Sequence, residues 1–130
     1  LPAVIVPLES RDALSQVATD RAAFGAYIVH HPECNCNHYF FADAGDGTLT
    51  ARCMMEDFLE DPATGSAAGC LAAYLLEHGQ PDSGGIAFTM RQGEDMGRPS
   101  VLRVNASHAD GEWLIEVGGS CHVVASGEWR

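Results

Sequence analysis

From Ala67 to Leu76 the chain reads AAGCLAAYLL, in which every residue is apolar or Gly except for the Tyr74 hydroxyl. A helix that is apolar all round has to be buried. Ala67, Ala68, Gly69, Ala72 and Ala73 are small, so strands can approach from several sides. A strongly curved sheet wrapped around one central helix accounts for this pattern better than a helix lying on a flat sheet. The helix is expected from about Ser66 to His78, with Gly79 as a left-handed cap and His78 in its last turn.

The remaining elements are read around that helix. Ala3 to Leu8 is an apolar run ending at Pro7, an edge strand. ESRDALSQVATD follows as a short amphipathic helix capped by Ser10. FGAYIVHH and HYFFAD read as strands on either side of the polar loop PECNCN. GDG at 45–47 is a turn, and TLTARCMM a strand. After the helix come GIAFTMRQG, RPSVLRVNAS, EWLIEV and SCHVVASGEW, four strand-like runs, the last two split by a GGS hairpin signal. The expectation is a single α+β domain over 1–130, with a curved, mostly antiparallel sheet around one buried helix.

Seven basic against eighteen acidic residues give a net charge of −11. Such a surface repels phosphate backbones and anionic lipid, which argues against nucleic acid and membrane surfaces as partners. No apolar run approaches the ~20 residues of a membrane span, and no signal segment opens the chain, so a cytoplasmic location is expected. Five cysteines are an odd number without disulfide-framework spacing. Cys70 falls in the helix and Cys53 and Cys121 in apparent strands, so reduced, mostly buried thiols are expected. The chain begins LPAVIVPL without Met, as a piece of a longer polypeptide or one whose first segment was removed.

EDPATGSA, residues 60–67, forms the mouth of the helix. A helix N-terminus offers about four unpaired N–H groups and roughly half a positive charge. Gly65 allows close approach, and Thr64 or Ser66 can cap, which suits a carboxylate or phosphate. Asp61, held by Pro62, can receive a substrate ammonium or hydroxyl, or act in proton transfer. The simpler alternative is that Asp61 or Thr64 merely caps the helix. ATGSA is too short for a phosphate loop and lacks its Lys.

EDPATGSAAGCLAAYL, RQGEDMGRPSVLRV and VGGSCHVVASGEW, in that order, resemble the C-terminal half of the PhzF-like phenazine biosynthesis proteins, as does the opening LPAVIVPLESRDAL. The resemblance implies one lobe of a diaminopimelate-epimerase-like fold, with the active site between two such lobes. It implies a cofactor-independent and metal-independent isomerase acting on a small carboxylate, dihydro-hydroxyanthranilate-like or amino-acid-like. Asp61 and Ser66 match the motif's substrate-contacting Asp and Ser, with Asp61 the catalytic candidate. Gly65 and the amides of Ser66 and Ala67 would receive the carboxylate. Thr64 stands where the related amino-acid epimerases place a catalytic Cys, which argues against a two-thiol mechanism. Arg52 matches a family Arg, although the Phe and Pro that usually follow do not align cleanly in RCMMEDFLEDPATG. The family's acid–base Glu and substrate-binding His belong to the half not matched here, and nothing suggests that Glu60 replaces that Glu.

Three functional readings follow. In the first, the chain is a catalytic-cleft lobe that is inactive without its N-terminal lobe. In the second, it is a stand-alone homodimer that binds small anions or acts as a scaffold without catalysis. The third is a metal module built from His30, His31, Cys34, Cys36 and His38, although their spacing fits a polar hairpin loop better than a zinc knuckle. Cys121 and His122 adjoin, and neighbours on a strand point to opposite faces, so they are no catalytic pair. Trp113 and Trp129 read as packing residues on the strands or at a lobe interface.

Overall fold

The computed structural model describes residues 2–79, 85–109 and 111–129. In chain order the elements are β1 (Ala3–Pro7), α1 (Arg11–Ser15), α2 (Arg21–Ile28), β2 (Asn37–Asp43) and β3 (Leu49–Met54). They continue with β4 (Glu60–Asp61), α3 (Gly65–His78), β5 (Gly85–Gln92), β6 (Ser100–Ala109) and β7 (Glu112–Gly119). One sheet takes them in the order β1-β2-β3-β5-β6-β7, with β4 added to β3. The β1–β2 and β3–β5 pairs are parallel and the rest antiparallel. Parallel neighbours need a crossover, and α3 supplies the one between β3 and β5.

Register decides which residues face α3. One lateral row runs Ile5, Tyr39, Cys53, Asp61, and the next runs Phe41, Ala51, Gln92. Further rows place Met90 beside Leu102, and Val104 beside Val117. Tyr39, Phe41, Cys53, Met90, Leu102 and Val104 form one core with Ala67, Ala68, Leu71 and Ala72 of α3. The sheet curls round the helix as a half-barrel, as the small residues of α3 require. Burying Leu71 completely contributes about 2–3 kcal/mol.

Several expectations are corrected. The helix is not enclosed on every side, since Ser66, Ala73 and Glu77 are exposed. Gly79 ends it in extended backbone (φ −79°, ψ −171°), not in the left-handed region. FGAYIVHH is not a strand, because Asp20 Oδ1 accepts the N–H groups of Ala22 and Ala23 at 3.0 Å and starts α2. SCHVVASGEW has no regular structure, and GGS makes no hairpin, since β7 runs on through Gly118 and Gly119 and its hairpin with β6 lies before Glu112. Without a partner strand that apolar tail stays open, with Val123 and Val124 over 90% exposed. Trp129 is exposed and Trp113 half-exposed, with the Trp113 ring 4.8 Å from that of His108. Cys36 and Cys53 are buried, but Cys121 is exposed.

No helix among the described residues is long and apolar enough to cross a membrane.

Two outcomes follow from this packing. A methyl group on Gly69 would meet Ile115 and Val117 at 3.9 Å, ordinary contact inside a helix. Gly69→Ala should therefore raise stability by about 0.5–1 kcal/mol in urea unfolding. Burial holds His38 below its ordinary value, although a backbone hydrogen bond at Cys36 opposes it. The unfolded chain then takes up that proton first, so the stability is full above about pH 6.5 and lost as pH falls toward the folded-state value. Native protein should lose more stability than His38→Phe between pH 7.5 and 5.5, and equal losses would contradict this assignment.

Candidate functional site

The site begins with the alternation of β4. Asp61 pairs with Cys53 and shares the α3 face, whereas Glu60 pairs with Met54 and points to the opposite side. On that outer side Arg52 grips Glu60 through two hydrogen bonds of 3.0 and 2.8 Å. Its Nη1 donates to the carbonyls of Val17 (2.8 Å), Leu14 and Ser15 (both 3.3 Å) at the end of α1. One guanidinium thus ties α1 to β4 and fixes the approach to the helix. Glu60 is committed to this clamp and stands away from the mouth.

Thr64 is the N-cap residue of α3, yet its side chain does not cap. The hydroxyl donates instead to Asp61 Oδ2 at 2.5 Å, so simple capping by Asp61 or Thr64 does not describe this mouth. Gln92, fully buried, fastens the segment from behind. Its Nε2 donates to the Asp61 carbonyl (2.7 Å) and Thr64 Oγ1 (3.0 Å), while its Oε1 accepts from Thr64 N–H (3.2 Å) and the Tyr39 hydroxyl (2.9 Å). Burial pushes the Cys53 thiol up, so it stays a neutral side chain behind the mouth. Gly93 turns at φ +78°, where a Cβ would come within 2.3 Å of the Arg98 carbonyl and 3.0 Å of Pro62. Only glycine lets the 93–98 turn lie against Pro62.

The first intrahelical bond runs from Ala68 N–H to Thr64 O at 3.0 Å. The amides of Gly65, Ser66 and Ala67 precede it and belong to the first turn, which the helix itself leaves without partners. A cavity of about 590 Å³ opens beside this turn, lined by Gly65, Ser100, Gly119, Ser120 and His122 among others. The structure therefore brings Asp61, Thr64 and Gly65 together. Ser66 lies exposed on the helix, and the Ala67 side chain is buried, which leaves its amide as its polar contribution. Of the expected contacts, Gly65 alone lines the cavity. Gln92 and Tyr39 were missed by sequence reading, and only the register that aligns β2, β3 and β5 exposes them.

The His/Cys loop disperses. His38 stacks edge-on against Phe24 at 5.0 Å, His31 lies 3.4 Å from Glu33, and the Tyr27 hydroxyl is 3.9 Å from Cys34. Cys36 is buried with its thiol toward backbone carbonyls. Among the described residues no three His, Cys, Asp or Glu side chains stand together as a metal site. Cys121 and His122 lie in the irregular tail, so the strand argument does not apply to them.

Residues 1–127 match the family described as phenazine biosynthesis-like protein. The chain is 38% identical over 120 residues to a trans-2,3-dihydro-3-hydroxyanthranilate isomerase of Pseudomonas chlororaphis, covering 90% of this chain and 40% of that protein. An uncharacterised isomerase of Bacillus subtilis is 26% identical over 120 residues, with 89% and 40% covered. The chain thus spans about 40% of the length of these relatives. The crystal structure of a Bacillus anthracis phenazine biosynthesis protein of the PhzF family superposes with a TM-score of 0.73 at 18% identity, over 89% of this chain and 41% of that one. At that identity the likeness establishes the fold: a curled half-barrel lobe.

The Arg52–Glu60 pair is only 12% and 14% exposed. Arg52→Ala removes the donor that Glu60 and the carbonyls of Ser15 and Val17 share and should lower stability by about 2–4 kcal/mol. Arg52→Lys should recover only part, since an ammonium cannot fork across a carboxylate. A loss in Arg52→Ala below about 0.5 kcal/mol in urea unfolding would overturn the role of the clamp.

Proposed function

Because this chain belongs to the phenazine biosynthesis-like protein family, we propose that it forms one wall of the cleft of a cofactor-independent isomerase acting on a small carboxylate. The observation that carries the reading is a carboxylate, Asp61, fixed by Thr64 at the mouth of an uncharged helix whose first-turn amides precede its first internal bond. The substrate carboxylate docks on the amides of Gly65, Ser66 and Ala67, where the helix dipole favours negative charge. The substrate's amino or hydroxyl hydrogen then reaches Asp61, which orients it for a proton shift within the molecule. The resemblance puts the acid–base Glu and a substrate-binding His in the part of the family that this chain does not match. On this reading the chain alone grips small carboxylates weakly and turns nothing over.

A second reading rests on a separate observation. Trp113 and Leu114 on the outermost strand are 49% and 55% exposed. That edge is open to a second copy of the chain, which would make a homodimeric anion-binding module or scaffold.

Anthranilate and benzoate separate the parts of the site, since both carry the carboxylate but only anthranilate carries the amine. Both should shift the backbone amide resonances of Gly65, Ser66 and Ala67, with millimolar affinity. Asp61→Asn should weaken anthranilate about tenfold and leave benzoate nearly unchanged. No shift at those three amides would sink the proposal. Mixing the chain with the remaining part of the Pseudomonas chlororaphis isomerase should yield turnover that Asp61→Asn abolishes. Sedimentation of the chain as a dimer, with no turnover in that mixture, would favour the second reading.

A further inference from the structure

Behind Asp61 lies a chain of hydrogen bonds whose direction is fixed by the chemistry of its members. Tyr39 and Gln92 are fully buried and Thr64 is 7% exposed. Burial drives the Tyr39 phenol far above its ordinary range, so its hydroxyl proton stays in place and serves as a donor. That hydroxyl lies 2.9 Å from one terminal atom of the Gln92 amide, and the Thr64 backbone N–H lies 3.2 Å from the same atom. A backbone N–H can only donate, so the shared atom is the amide oxygen. The other terminal atom is then the nitrogen, and its two protons are both used, one on the Asp61 carbonyl and one on Thr64 Oγ1. Thr64 Oγ1 therefore accepts from Gln92 and turns its own proton toward Asp61 Oδ2. Asp61 Oδ2 accepts that proton, and the chain ends there.

We infer that Tyr39, Gln92 and Thr64 are positioning residues that set Asp61 as a hydrogen-bond acceptor at the helix mouth, aimed at the N–H or O–H donor of a bound carboxylate ligand. This deepens the proposed function and rests on it for the ligand. Gln92 has all four of its hydrogen-bonding positions filled, which leaves its amide no alternative orientation. Its bond to the Asp61 carbonyl fixes the backbone, while the Thr64 hydroxyl fixes the carboxylate. With its backbone carbonyl and one carboxylate oxygen both held, the Asp61 side chain is restrained beside the first turn of α3. Thr64 uses one of about four lone-pair positions of the carboxylate, and on this inference a ligand donor takes another.

The test has a ligand-free half and a ligand half, both on the whole chain at neutral pH. Without ligand, the Gln92 side-chain amide protons should exchange slowly, and the Asp61 13Cγ resonance should move in Thr64→Val and return in Thr64→Ser. An Asp61 resonance identical in native protein and Thr64→Val, or one showing a protonated carboxyl in the native protein, overturns the inference. With ligand, Thr64→Val should weaken anthranilate about tenfold and leave benzoate unchanged, with Thr64→Ser restoring the loss. Gln92→Glu, which draws the Thr64 proton toward itself, should behave like Thr64→Val. Equal weakening of both probes would mean a merely structural role and overturns it too. Thr64→Val and Thr64→Ser alter the side chain little, so the comparison does not depend on Gln92→Glu folding. If the native chain binds neither probe, the functional reading fails, while the ligand-free measurement still decides the direction of the chain.

Discussion

The packing of α3 against the inner face of the sheet is the contact on which the rest of the molecule depends. Ala67, Ala68, Leu71 and Ala72 are fully buried there against Tyr39, Cys53, Met90 and Val104. Small side chains bring the helix axis close to the strands, and the sheet curls to keep contact with it. Because α3 is also the crossover between β3 and β5, that contact sets where the helix starts. Its first turn consequently opens beside the start of β6 and the end of β7, where the cavity lies.

Around that start the protein holds one short segment from both sides. On the inner side Gln92 binds the backbone of Asp61 and Thr64. On the outer side Arg52 binds Glu60 and the end of α1. The alternation of β4 sends these adjacent acids to different faces, and so to different tasks. Glu60 serves a structural clamp, and Asp61 stands at the mouth. The 93–98 turn joins the outer clamp, since Asp95 lies on Arg11 at 2.9 and 3.0 Å and 3.8 Å from Arg52. An acidic chain with few cations uses two of them, Arg11 and Arg52, around the approach to one helix.

The sequence was legible where a local rule had a single outcome. Ser10 caps α1 through Ala13 N–H, as its position before an amphipathic run suggests. The α3 span was readable to within a residue. Phe24, Tyr27, Ile28 and Val29 misled, because aromatic and β-branched residues favour strands, while the Asp20 cap and the fit against His38 and Phe58 favour a helix. The tail failed differently: Cys121 to Val124 has strand composition, but a strand exists only where a neighbour accepts its hydrogen bonds. At the site, Asp61, Thr64 and Gly65 are read from one contiguous motif, and the neighbouring Glu60 is held in the Arg52 clamp. Gln92 and Tyr39 could not be found that way, since they are separated by 53 positions and meet only across three strands.

By itself, then, the sequence determined that an uncharged helix of small residues had to be buried, and favoured a curved sheet over a flat one because it removes more of that apolar surface from water. It also determined that an acid and a glycine would stand at the start of that helix, since they adjoin it in the chain. The tertiary structure alone decided what that acid faces and what holds it. The lateral register of β2, β3, β4 and β5 places Tyr39, Gln92 and Asp61 on one face. A shift of one residue in that register would have exchanged Asp61 with Glu60. Such a choice depends on pairings between strands distant in sequence, and no local pattern encodes it.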